Sequence, residues 1–511
     1  MVANHFLKLA IVISSLFTLS SSAYEVPVID SDYSRQICSG MWANQATYIN
    51  VSFDATSQGQ LAAVIYEWAD ARYLGKVTDP DDEYLPKTYV CTAGAVSENV
   101  CTAEQLGQFI IDLPQGKSLN ETSFWSALLQ LPANQTSSSD SLPSTSGLWN
   151  NPDGNPTPPS SKYTSPWRRA IASQLPYTYT VRQTKEFSSG GLYPYTEPIR
   201  YPVRKTGYYC LSTAFVPVTV QTLTSRASTD VPFHPTYTGN VLFKNTFEGK
   251  LAATDYPKVN FYFAMSLIYT AFAVAWGWLC YRHIHELLPI QYYLSSLVGL
   301  LVIEMVASWA YYRYLNAHGR STVSTVFLIV VSVLDAARNS MSFFMLLVVA
   351  LGLSVVRESL GRTMLKCQIL AGGHFIFGIL YGVGIVELQL EKTSALVLLM
   401  FVIPLAFTLS GFLLWIMYSL NATIAQLRAR KQRYKLKMFE RLYYILLVSI
   451  FIIAIFFVVS SMSFSGRLAE DYAAKSWRVR WWLLDGWLAL LYLVAFVFIA
   501  FLWRPSANNR R

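Results

Sequence analysis

Five ionisable side chains stand inside stretches that are otherwise apolar: Glu304, Asp335, Arg338, His374 and Asp485. A charge at the centre of a bilayer costs roughly 3 kcal/mol or more unless it is paired or hydrated, so each is a candidate for function as well as for structure. Asp335 and Arg338 are three apart, share a helix face and can pair, either as a lock on the bundle or as the lining of a polar cavity. Glu304 has no partner in its own helix and must face the bundle interior, a cavity or a headgroup. His374 follows Gly372-Gly373, where close helix approach is expected. It is either a packing histidine or a group that titrates in a mildly acidic lumen. Asp485 lies near the start of the last apolar run and is expected to be hydrated at the boundary. The six histidines show no ligand spacing on a shared helix face, and no Gly-rich phosphate loop precedes a helix. No metal, cofactor or enzyme activity is therefore expected.

Helices must position these groups. Runs 260–281 and 289–310 are apolar and aromatic, separated by Arg282, His283, His285 and Glu286. Each can cross a hydrocarbon core of about 30 Å at about 1.5 Å per residue. Backbone amides in lipid have no water to bond, so both runs must be helical. Five more follow: 323–356 with a polar waist at Asp335, Arg338 and Asn339, 365–386, 395–420 around Pro404, 442–464 and 481–503. The third run is expected to be one tilted helix, the alternative being a re-entrant break at its waist. Composition agrees with seven spans: 53% hydrophobic and 14% charged residues among 511 are too apolar for an ordinary soluble protein and too many for one domain.

The front half differs. Residues 1–23 read as a secretory signal, with Lys8, a short apolar region and Ser21-Ser22-Ala23 as cleavage site. Residues 24–257 are rich in Thr, Tyr, Ser and Pro. Runs 47–53, 61–66, 177–182 and 216–223 read as alternating strands, with Gly and Pro clusters between them, which predicts a β-rich lumenal domain. Cys38, Cys91, Cys101 and Cys210 imply two disulfides with three possible pairings. Cys91–Cys101 with Cys38–Cys210 is favoured, a short local loop and a tie between the domain's ends. Cys280 and Cys367 fall in spans and read as buried fillers. Sequons at Asn50, Asn120 and Asn134 lie where a signal peptide would translocate them, and Asn421 is discounted. About 132–166 is a Ser/Pro-rich flexible insertion.

Basic residues set the orientation. With the N-terminus lumenal, the cytosolic loops would hold Arg282, then Arg357 and Arg362, then the cluster Arg428, Arg430, Lys431, Arg433, Lys435 and Lys437, and the tail 505–511 would end in Arg510 and Arg511. The net charge of +9 is thus a topology signal first, and nucleic acid is not an expected partner. The cluster could touch anionic lipid at about 1 kcal/mol per basic residue, or serve only orientation and helix extension. Tyr434, Leu436, Met438 and Phe439 interleave with the charges, so partner docking is open.

A set of motifs then carries a family likeness: Tyr201-Pro-Val-Arg-Lys-Thr-Gly-Tyr-Tyr-Cys210, Phe243-Lys-Asn-Thr-Phe-Glu-Gly-Lys-Leu-Ala-Ala253, Asp255-Tyr-Pro-Lys-Val259, His285-Glu-Leu-Leu-Pro-Ile-Gln-Tyr-Tyr293 and Trp503-Arg-Pro-Ser-Ala-Asn-Asn509. In this order they resemble the Golgi-dynamics-domain seven-transmembrane (GOST), or lung seven-transmembrane receptor, family, its fungal Ptm-type members above all. The resemblance implies a lumenal β-sandwich of the Golgi-dynamics kind on a seven-helix bundle (residues 258–504), Golgi or endosomal residence, and a role in membrane traffic. Three functions are weighed: a trafficking protein whose lumenal domain binds cargo or a co-receptor; an ion channel or lipid-binding transporter using Glu304, Asp335, Arg338 and His374, with phospholipid held in the bundle; and a G-protein-coupled receptor. The third is disfavoured, since Val355-Val356-Arg357-Glu358-Ser359 replaces the Asp-Arg-Tyr box and the seventh span lacks Asn-Pro-x-x-Tyr.

Overall fold

The computed structural model describes residues 23–30, 34–77, 87–92, 95–96, 98–102, 105, 107–131, 192–215, 236–353, 356, 359–387, 395–465 and 472–505. The expected signal peptide through residue 22, the 132–166 insertion with Asn134, runs 177–182 and 216–223, Arg357 and tail residues 506–511 lie outside them. The chain divides into two compact units, one containing 21–248 and 473–477, the other containing 249–472 and 478–511.

Among the described residues, nine strands build the first unit: β1 (Tyr24–Ile29), β2 (Ser34–Met41), β3 (Tyr48–Phe53), β4 (Gly59–Glu67), β5 (Trp125–Leu131), β6 (Leu192–Pro194), β7 (Ile199–Pro202), β8 (Gly207–Phe215) and β9 (Thr238–Lys244). They form sheets of order β1-β9-β3-β7 and β2-β8-β4-β5-β6, antiparallel except for the β5–β6 pair. One core lies between them: Ile49, Val51, Val241 and Phe243 from one sheet meet Leu61, Ile65, Leu129 and Leu211 from the other. β3 alternates buried and half-buried residues, as its sequence requires of a strand with one face on a core. The alternation expected over 61–66 does not hold, because β4 is buried on both faces. Its second face, Ala62, Val64 and Tyr66, is covered by Leu74, Val90, Phe109 and Phe124. A strand covered on both sides reads as a continuous apolar run.

Both disulfides are Cys38–Cys210 and Cys91–Cys101. The first is not a tie between ends. Cys38 and Cys210 are register partners on the neighbouring strands β2 and β8, so the bond staples the interior of one sheet. The Tyr201–Cys210 motif supplies the end of β7, the turn and the start of β8. Tyr209 donates to the Lys205 carbonyl (2.8 Å), and Tyr201 to the Ser123 carbonyl (2.8 Å). Burial pushes the Tyr201 phenol up to about 12, and pushes the Tyr209 phenol up as well.

The second unit is helical: α1 (Tyr256–Arg282), α2 (Pro289–His318), α3 (Thr322–Ala350), α4 (Arg362–Glu387), α5 (Ala395–Ala429), α6 (Arg433–Ser465) and α7 (Trp487–Leu502). Six are long and apolar enough to cross a membrane, and α7 is the shorter seventh, preceded by one π-helical turn at Trp482–Gly486. α3 runs unbroken through the polar waist, as the one-helix reading expects, but it stops short of residue 356. Gly352, at φ +82°, closes it: the Gly352 and Leu353 amides turn back to the Val349 and Val348 carbonyls. Such a reversal favours glycine because a Cβ penalises that backbone region. Close helix approach occurs later in α4 than expected. A Cβ on Gly372 or Gly373 would meet nothing within 4 Å, whereas one on Gly378 would sit 3.0 Å from Ala336 Cβ and one on Gly382 2.9 Å from Ser332 Cβ. These two glycines, four apart, seat α4 against small residues four apart on α3.

Candidate functional site

α3 places Asp335, Arg338, Asn339 and Ser342 at i, i+3, i+4 and i+7, a spacing that makes one polar stripe on an apolar helix. On α2, Leu297, Leu301, Glu304 and Ser308 form the buried stripe. Glu304, 3% exposed, sits near the middle of its helix, as Arg338 does of α3.

The structure brings three of the five candidate residues together. Arg338 Nη1 donates to Glu304 Oε1 at 2.7 Å, and Nη2 to Asp335 Oδ1. Asn339 accepts weakly from Arg338 (3.3 Å) and donates to Asp335 Oδ2 (3.1 Å). Glu304 therefore has the partner its own helix could not supply, one helix away. From α7, Tyr492 lies under the guanidinium at 5.1 Å, with its hydroxyl 2.7 Å from Ser342 Oγ. Ser342 in turn caps the Arg338 carbonyl (2.6 Å). One cation thus faces two carboxylates on α2 and α3. The carboxylates differ: Glu304 is enclosed, with Oε2 lacking a hydrogen-bond partner among the described residues, while the Asp335 side chain is 49% exposed.

The other two candidates lie elsewhere. His374 Nδ1 is hydrogen-bonded to Thr408 Oγ1 at 2.9 Å, and the same hydroxyl lies 2.8 Å from the Leu405 carbonyl. Its ring meets Phe343 and Phe412 edge-on at 5.4 and 5.7 Å, the contacts of a packing histidine. Asp485 is ion-paired rather than simply hydrated. Within the π turn, it meets Lys258 Nζ at 2.8 Å, and Asp255 meets the same nitrogen at 3.1 Å. The Lys258 ammonium also lies 5.4 Å from the centre of the Tyr312 ring, which stacks on Tyr262. Helical spacing reveals the Asp255–Lys258 pair, but nothing local points to Asp485.

Two of the quoted motifs meet at the opposite end of α1. Gln291, 1% exposed, accepts from the Leu288 amide (3.0 Å) and donates to the Trp503 carbonyl (3.1 Å). Ser295 receives Trp276 Nε1 at 2.9 Å and donates to the Gln291 carbonyl. The basic cluster is not one loop. Arg428 closes α5, Arg430, Lys431 and Gln432 make the turn, and Arg433, Lys435 and Lys437 open α6. Asn50 stands half-buried on β3, and Asn120 is exposed in a short 3-10 turn, Leu119–Glu121. Among the described residues, no group of three or more His, Cys, Asp or Glu is arranged to hold a metal.

A disulfide-stapled β domain joined to a seven-helix bundle, with charges paired across helices at mid-depth, defines a multi-pass membrane protein. Comparison with known families agrees: a model described as "GOST, seven transmembrane domain" matches residues 257–510, and one described as "PTM1-like, N-terminal domain" matches residues 34–141. The chain belongs to the GOST seven-transmembrane family. It is 27% identical over 501 residues to Uncharacterized protein C26H5.07c of Schizosaccharomyces pombe, covering 97% of this chain and 82% of that one. It is 32% identical over 251 residues to Membrane protein PTM1 of Saccharomyces cerevisiae (49% of this chain, 45% of that one). It is 28% identical over 216 residues to human Transmembrane protein 87A (41% and 38%). The matches thus span less than half the length of the latter two relatives.

Proposed function

We propose that this protein acts in membrane traffic between Golgi and endosome, its β domain facing the lumen and binding protein cargo or a co-receptor while the bundle carries it between compartments. The observation that supports this best is how the mid-membrane charges are used. Arg338 is matched by Glu304 and Asp335 within the bundle, the arrangement of a scaffold that holds a folded domain in place. The stapled β-sandwich supplies the binding module, and disulfides suit an oxidising lumen. Golgi residence and traffic are what the family resemblance implies. Deletion of the gene should redistribute Golgi cargo, and a chain carrying Cys38→Ser and Cys210→Ser should fail to restore it. Normal cargo distribution in the deletion strain would remove this reading. Protease protection should leave residues 24–248 uncut in sealed vesicles, with enzymatic deglycosylation shifting the gel mobility.

A second reading has its own support. Asp335 is half exposed in the middle of a spanning helix, and Glu304 keeps one oxygen without a partner. Such groups suit a pathway for ions or a seat for a lipid headgroup. Purified protein in planar bilayers would then pass current, and Glu304→Gln would change its selectivity. Absence of current removes the ion pathway.

A further inference from the structure

The tip of the α5–α6 hairpin is a strongly charged surface that the packing of the bundle does not use. Residues 428–441 hold seven basic side chains and one acid, Glu440, which pairs with Arg428 at 3.3 Å. The turn is tight: Lys431 adopts φ +54°, so only three residues separate the helices and the charges of both ends converge. Arg428, Arg430, Lys431, Arg433 and Lys437 are exposed. Amid them Tyr434 is 85% exposed, whereas its neighbours Leu436, Met438 and Phe439 pack into the bundle core. An orientation signal needs charge alone; an aromatic ring held outward among the charges suits a headgroup layer, where amphipathic rings settle.

Geometry sets the height of this surface. α5 continues nine residues past the apolar run that ends at 420, and α6 begins nine residues before the run that starts at 442. At about 1.5 Å per residue the tip stands about 13 Å beyond the hydrocarbon boundary. A headgroup layer is about 5–8 Å deep, so the lower charges lie within it and the upper ones within about one Debye length of its surface.

We propose that this hairpin is a recognition surface for a phosphomonoester-bearing inositol phospholipid of the leaflet it faces. A polyanionic headgroup raised above the plane of the other lipids matches a clustered cationic tip better than the single charge of phosphatidylserine does. The proposed orientation decides which leaflet supplies that lipid; the binding itself does not depend on it.

The test uses full-length protein in neutral detergent, where sidedness plays no part, and measures binding of dioctanoyl phosphatidylinositol 4-phosphate, dioctanoyl phosphatidylserine and dioctanoyl phosphatidylcholine. The phosphoinositide should bind saturably, at least tenfold tighter than phosphatidylserine, with no measurable phosphatidylcholine binding. Raising salt from 50 to 500 mM should weaken it by tenfold or more, a readout on unaltered protein. Arg430→Ala, Lys431→Ala and Arg433→Ala together should weaken it about a hundredfold, whereas Arg282→Ala should leave it unchanged. Equal binding of all three lipids, salt-independent binding, or a full response in the triple variant would each overturn the assignment. Tighter binding of a polyglutamate peptide than of the phosphoinositide would also overturn it, in favour of an acidic protein partner. If the binding succeeds while protease protection places the hairpin in the lumen, the orientation falls and the surface stands.

Discussion

Replacing Arg338 by Met should damage this protein more than any other single change in the bundle, and by an amount that the geometry sets. The guanidinium donates to Glu304 and Asp335 and rests on Tyr492. At an effective dielectric constant of about 20, two unit charges about 4 Å apart interact by about 4 kcal/mol. Removing one partner of a buried pair costs about 3–5 kcal/mol, mostly because the other charge is left enclosed and alone. Glu304, 3% exposed with one oxygen already lacking a partner, is such a charge. Glu304→Gln should be milder, about 1–2 kcal/mol, because the amide oxygen still accepts from Arg338 and Asp335 still pairs with it. Asp335→Asn should also be milder than Arg338→Met, because Arg338 keeps Glu304 as its partner. The double change Arg338→Met with Glu304→Gln should recover about 2 kcal/mol relative to the sum of the singles, the signature of direct coupling. At about 2–4 °C per kcal/mol for a unit of this size, Arg338→Met should lower the melting temperature of detergent-solubilised protein by about 10 °C and Glu304→Gln by about 4 °C. Thermal melts followed by size-exclusion fluorescence measure this. Equal losses for the two single variants, or a double variant equal to their sum, would refute the pairing argument.

Other expectations are separable from that one. Gly378→Leu or Gly382→Leu should each destabilise the bundle by about 1–3 kcal/mol, because a side chain there drives into Ala336 or Ser332; Gly372→Ala and Gly373→Ala should be silent in the same melts. Loss of Cys38–Cys210, which closes a loop of 172 residues, should cost up to about 5 kcal/mol, against about 3 kcal/mol for Cys91–Cys101, which spans 10. Serine double variants, melted without reductant, give that order; the reverse order would mean that the sheet itself, and not chain entropy, controls the β domain. Lys258→Met should strand Asp255 and Asp485 at the start of α1 and cost more than Asp255→Asn, whose loss leaves the Lys258–Asp485 pair intact. The folded Tyr201 phenol ionises at about 12, against about 10 when unfolded, so between those values the unfolded chain has released a proton that the fold retains. Stability of the β domain should therefore be insensitive to Tyr201 below pH 10 and fall as pH rises from 10 to 12, and a phenolate absorbance titration should show this tyrosine ionising late.

How much of this was legible in the sequence depends on how far each residue stands from its partner. Six of the spans were legible because hydrocarbon thickness calls for a long, mostly apolar run, and Asp335–Arg338 was legible because three residues is less than one turn. β3 and β4 are both strands where runs 47–53 and 61–66 predict them, but only β3 keeps the expected alternation, since covering both faces of β4 erases that period. The end of α3 was misplaced because the residues after Gly352 are as apolar as those before it; the stop lies in the backbone sign of one glycine, which hydropathy does not register. Glu304 carried no local signal for its partner, 34 residues away on the next helix. Asp485 carried none for Lys258, at the far end of the helical unit's sequence. The rotation of each helix about its own axis decides such pairs, and features as slight as Gly378 facing Ala336 and Gly382 facing Ser332 help to set that rotation. It follows that the charged cluster and the glycine contacts belong to one problem. A side chain at Gly378 or Gly382 that displaces α3 would also move Arg338 relative to Glu304. The Leu variants should therefore weaken the coupling measured in the Arg338–Glu304 cycle, although neither glycine touches either charge.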